Sequence, residues 1–184
     1  MNGHCVRWPA GMLLAGLLAG CLPPIYVDKQ DYPADWPAQL AAVAGCPELT
    51  GRYQNQGEGR FAVGLAKQLM PDTADPLKQV QRVDFNGPDG GAVVVRLLDV
   101  QGVTLLEQRW NEGPDFRCED GWLIRRRGYF WATPVLAGTD SERFARNARG
   151  DLLVQRRTEA GGVFLFMPVY RGERFWFRYP SIAQ

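Results

Sequence analysis

The stretch at residues 151–180, DLLVQRRTEAGGVFLFMPVYRGERFWFRYP, decides the fold class. Glycines at 150, 161 and 172 stand 11 residues apart, and the intervals between them are rich in Val, Leu, Phe, Tyr and Trp. Residues of this kind fit a pleated, half-buried surface. In the last interval Phe175, Phe177 and Tyr179 alternate with Arg174, Trp176 and Arg178, the period of a strand with two unlike faces. Evenly spaced strands bounded by turn residues read as an antiparallel meander, so each glycine is expected to mark a hairpin.

The same grammar extends upstream. Asp120-Gly121 separates DFRCE from WLIRRR, a strong hairpin signal, and Gln101-Gly102 separates 93–98 from 103–106. Before Val83 the pattern changes. A helix is expected over 36–45, with Asp35 as its cap and Gly45 as its stop, and a second over 61–70. Between them Leu49, Gly51 and Tyr53 suggest a strand, with 55–59 as a loop; 71–79 reads as a polar linker. The expectation is a mainly β domain: an antiparallel meander of about eight strands in a small barrel or sandwich, with two short N-terminal helices.

The N-terminus carries a different signal. Residues 10–20 are Ala, Gly, Met and Leu only, behind Arg7. Eleven apolar residues fall short of the roughly 20 a helix needs to span a bilayer, and suit a secretory signal peptide. The run ends in LLAGC, residues 17–21, and Leu18-Ala19-Gly20-Cys21 resembles the lipobox of bacterial lipoproteins. That resemblance implies cleavage before Cys21, lipid attachment to its thiol and amine, and a mature chain of 164 residues. Leu22, where an Asp would imply inner-membrane retention, implies the outer membrane, with the domain in the periplasm. The division expected is a signal peptide at 1–20, a proline-rich lipidated tether at 21–37, and one β-rich domain at 38–184. CPELTGRYQNQGE and CEDGWLIRRRG are loosely similar to segments of uncharacterised proteobacterial lipoproteins, which implies no activity.

Removal of the leader takes with it His4, the chain's only histidine. A mature chain without His has no His-based general base, no Ser-His or Cys-His pair, and no zinc site of the usual His-containing kind. Serine occurs only at 141 and 181. Glu58, and Glu119 beside Asp120, are carboxylates considered for glycan chemistry but read as a loop and a solvated turn. Asp72 and Asp75 lack the spacing of a calcium loop. The expectation is therefore a non-catalytic protein with no metal and no cofactor. Cys5 leaves with the leader and Cys21 is lipidated, so Cys46 and Cys118 remain; an oxidising periplasm favours their disulfide.

The charge is balanced overall but polar along the chain. Residues 21–116 carry net −5 and residues 117–184 net +5. No nucleic-acid partner is expected. Arg125-Arg126-Arg127 gives both faces of one strand a charge, as at a strand leaving the core; the functional alternative is an anion or partner patch completed by Arg156 and Arg157. Three roles follow. The first is a membrane-anchored lipoprotein binding an envelope protein, glycan or lipid. The second is a carrier of a lipid or hydrophobic ligand, with Trp110, Trp122, Trp131 and Trp176 lining a barrel cavity. The third is an inhibitor of an envelope-attacking enzyme such as lysozyme.

Overall fold

The computed structural model describes residues 25–39, 45–70, 76–132, 135–164 and 167–183. In chain order its strands are β1 (Ile25–Lys29), β2 (Gly51–Gln54), β3 (Arg82–Asp89), β4 (Ala92–Leu98), β5 (Thr104–Asn111), β6 (Arg117–Glu119), β7 (Trp122–Ala132), β8 (Val135–Arg146), β9 (Leu152–Phe164) and β10 (Met167–Tyr179). One helix, α1 (Leu65–Leu69), and a 3₁₀ turn at Pro76–Gln79 complete the described elements.

The mainly β expectation holds, as two meanders. β2 to β5 form one antiparallel sheet in sequence order. β6 to β10 form the second, and β1 joins its far edge parallel to β10. Both sheets are open, so the barrel alternative is set aside. The sheets bury one shared core: Tyr53, Val83, Phe85, Val95 and Trp110 from the first meet Leu123, Phe144, Val154, Phe177 and Tyr179 from the second. At one corner the chain after β10 runs beside β2, where Gln54 N–H donates to Pro180 O and Ile182 N–H to Arg52 O.

The Asp120-Gly121 hairpin forms as read, with both residues at positive φ, 52° and 74°. The 11-residue glycine period does not mark hairpins. Only Gly150 lies in a turn, where Asn147 accepts the N–H groups of Arg149 and Asp151 on its side-chain oxygen. Gly161 and Gly172 fall inside 13-residue strands, opposite Tyr170 and Glu159. β9 instead runs on to Phe164, which pairs with Met167 at the start of β10, within the apolar run VFLFMPVY that alone resembles a single strand.

Two helices near the N-terminus are not found. Described residues 36–39 are not helical, and 40–44 lie outside the described residues. Trp36 is held by ring contact with Tyr32, whose hydroxyl donates to Pro37 O, and Gln39 bridges to Asn147. These contacts override a weak local preference. The second helix shrinks to α1 because Phe61 sits at φ 63° and Gly64 at ψ 137°, neither helical. Asn55 then serves as a distant cap: its carbonyl accepts Leu65 N–H and its side-chain oxygen accepts Ala66 N–H. The linker read over 71–79 contains the 3₁₀ turn.

Part of the expected tether is sheet. Ile25 to Lys29 pair residue by residue with Tyr170 to Arg174, and Gln30 N–H continues the ladder to Arg174 O. Cys21 thus precedes the first residue of β1 by four positions. Residues 1–24, with the expected signal peptide and Cys21, lie outside the described residues, as do Asp72 and Asp75.

Candidate anion-binding face

The arginine cluster read from the sequence is divided by strand alternation. Arg125 and Arg127 of β7 and Arg156 of β9 face the core side of the larger sheet, while Arg126 and Arg157 face away from it. β7 runs on as strand to Ala132, and its described residues after Ile124 are half-buried or exposed, so it leaves the core at these arginines as read.

On the inner side the three arginines have structural partners. Arg125 has its guanidinium carbon 3.9 Å from the Trp110 ring centre and its Nη1 3.6 Å from Glu142 Oε2. Burial pulls its pKa down to about 10, against the pull of Glu142. Arg127 donates to Leu69 O at 2.9 Å, which satisfies a carbonyl at the end of α1. Arg156 binds Asp140 at 3.0 Å, and Thr158 donates its hydroxyl to the same carboxylate. Burial pushes Glu142 above the usual carboxyl range despite Arg125 and Arg127. A raised native pKa stabilises the folded state more as pH falls through that value towards the unfolded one. Wild-type stability relative to Glu142→Gln should therefore rise between pH 7 and about 4.5, as chemical denaturation across that range will read.

The same face of the larger sheet, with residues 61–68, lines an open groove of about 640 Å³. Phe61, Val63 and Phe175 supply apolar walls, and Asp140, Arg156 and Glu173 the polar ones. Its two carboxylates are engaged, Asp140 by Arg156 and Glu173 by Arg171. Glu58 pairs with Arg178, and Glu119 with Arg117. The tryptophans proposed to line a cavity do not line this groove: Trp110 is core, and Trp122 and Trp176 pack together on the opposite side of the sheet. The side chain of Trp131 lies outside the described residues.

The outward side carries the unusual arrangement. Registers between β1, β10, β9, β8 and β7 place Lys29, Arg174, Arg157, Ser141 and Arg126 directly opposite one another in a single row. At about 4.8 Å per strand the row is about 19 Å long. Like charges facing each other across strands destabilise a sheet. Here Lys29 faces Arg174, and Arg174 faces Arg157. Asp31 and Gln30 O bind Arg174, and Glu159 shares a shallow depression with it. Among the described residues no carboxylate forms an ion pair with Lys29, Arg126 or Arg157. Arg143 adds a fifth cation one row below, 5.7 Å from the Trp122 ring centre. Burial, and then the charge of Arg157, lowers its pKa, with Glu119 and Asp120 opposing.

Among the described residues, three buried polar atoms on the same side lack hydrogen-bond partners: Arg157 Nε, Trp176 Nε1 and Gln155 Oε1. Gln155 is directly opposite Trp176 in the ladder, and Arg157 is two residues along β9. Leaving such an atom unsatisfied costs about 1–3 kcal/mol. The row of cations itself makes a surface chemically suited to an anionic partner, and the three unsatisfied atoms lie buried beneath it. The sequence pointed to Arg126 and Arg157 but missed Lys29, Arg143, Arg174, Gln155 and Trp176. Alternation identifies faces within one strand; only register brings five strands into one row.

The disulfide forms as expected between Cys46 and Cys118. Glu112 lies close to both sulfurs, but sulfurs joined to each other are not the thiolates that ligate metals. Among the described residues no helix is long and apolar enough to cross a membrane. Comparison with protein-family models, curated proteins and solved structures finds no match for this chain, so its functional reading rests on its own residues.

Proposed function

We propose that the protein is a non-catalytic lipoprotein, anchored in the outer membrane through Cys21, whose periplasmic domain binds an anionic envelope component through the outward row Lys29, Arg174, Arg157 and Arg126. The anchor rests on Leu18-Ala19-Gly20-Cys21 behind a short apolar run. The binding role rests on one observation: cations placed face to face across strands at a cost to the sheet, beside buried donors without partners. Repeated positive charge at strand spacing suits a partner with repeated negative charge, such as a phosphorylated glycolipid or an acidic chain.

Lipopolysaccharide is a suitable probe. Arg126→Gln with Arg157→Gln should weaken its binding by about tenfold or more, since a hydrogen bond to a charged group is worth about 1.5–3 kcal/mol. The stability of the double variant should equal or slightly exceed that of wild type. Unchanged affinity would refute the site. For the anchor, Cys21→Ser should remove the acyl mass and release the protein from membranes. An unmodified mass at Cys21 in the wild type would overturn it.

A second reading is supported by the groove. Phe61, Val63 and Phe175 opposite Arg156 suit a ligand with an apolar tail and an anionic head. Native mass spectrometry of protein extracted from membranes would detect that ligand as added mass.

A further inference from the structure

We infer that one end of the larger sheet, formed by the paired ends of β7, β8, β9 and β10 and the start of β1, rests in the bilayer surface. The inference builds on the lipid anchor proposed at Cys21. Residues 128–139, GYFWATPVLAGT, and 160–170, AGGVFLFMPVY, contain no charge. Register brings both stretches to the same end: Phe130 faces Ala137, Ala137 faces Gly161, Gly161 faces Tyr170, and Tyr170 faces Ile25. Because β1 is parallel to β10, its first residue lies at this end rather than the other.

Chain length then ties this end to the membrane. Cys21 precedes Ile25 by four residues, so their Cα atoms are within about 14 Å whatever path the chain takes. Acyl chains on Cys21 thus hold the charge-free end at the bilayer. The surface there is apolar. Phe130 is 66% exposed and Val163 48%, Tyr170 is exposed too, and Tyr26 and Val27 follow on β1 level with Arg171 and Gly172, 54% and 50% exposed. Apolar exposure of this extent on one end is uncommon on a protein that meets only water. Past Arg171, four residues of β9 and four of β10 rise about 13 Å without a charge, enough to enter the headgroup–acyl boundary, where Tyr, Trp and Phe are favoured.

The test uses acylated protein reconstituted in phosphatidylethanolamine and phosphatidylglycerol vesicles carrying bromine on their acyl chains. Phe130→Trp places a reporter at an exposed position of this end, and bromine should quench the emission it adds. Adding Tyr170→Asp, also at an exposed position, should weaken that quenching while the fold is kept. An unquenched reporter in acylated Phe130→Trp protein overturns the contact and leaves the anchor standing. The mass of Cys21 reads the anchor separately: if it carries no lipid, yet vesicles still quench the Phe130→Trp reporter, the anchor falls and the contact stands. Sedimentation of Cys21→Ser protein in buffer examines the other occupant. A dimer abolished by Tyr170→Asp would assign this end to a second copy and overturn the inference.

Discussion

Replacing Cys46 and Cys118 together by Ser should cost about 4 kcal/mol, the chain-entropy value for a loop of this length. The bond spans 72 residues and joins the segment before β2 to β6. β6 has three residues and pairs only with β7, so little else holds this edge of the larger sheet. Domains of this kind are stable by only about 5–15 kcal/mol, so one bond is a large fraction of the total. At about 2–4 °C per kcal/mol, the melting temperature should fall by about 10 °C. Reduction of the wild type should reproduce the loss. A double variant within about 1 kcal/mol of wild type would show that the two regions are held together without the bond.

Arg125→Ala should cost about 3–5 kcal/mol, because it leaves the Glu142 charge buried without its cation. It also removes the guanidinium from the Trp110 ring. The reason to attribute the loss to an orphaned charge is the contrast with a double change. Arg125→Met with Glu142→Leu removes both charges and keeps most of the volume, so it should fall close to wild type. Urea denaturation of the singles and the double closes the cycle. If the double loses as much as Arg125→Ala, packing against Trp110 is the source and the ion pair is not.

The fold class was legible because alternation over β10 and the Asp-Gly turn at 120–121 are local signals, and local geometry obeyed them. The glycine period misled for a physical reason. Gly161 and Gly172 are compatible with a strand interior, whereas the paired ends Phe164 and Met167 lie in an apolar run with no turn residue except nearby Pro168. The helix read over 36–45 was opposed by tertiary contacts of Tyr32 and Trp36 that no local pattern reports. The charge cluster was seen as consecutive letters, Arg125 to Arg127, but strands distribute consecutive letters to opposite sides. Arg125 became part of a buried pair and Arg126 part of an exposed row. The pairing of residues 25–29 with 170–174 joins positions at opposite ends of the chain and leaves no periodic trace.

That pairing also sets an order of events. The first described strand finds its partner in the last one, so β1 has nothing to add to until nearly the whole polypeptide has been made. A chain that emerges from its N-terminus therefore holds its first strand waiting, and the edge of β10 closes only at the end. Contacts this distant in sequence are slow to form. Until they do, the unpaired edge is open to any other strand, which makes the interval before closure the time when this domain most needs a protected surface.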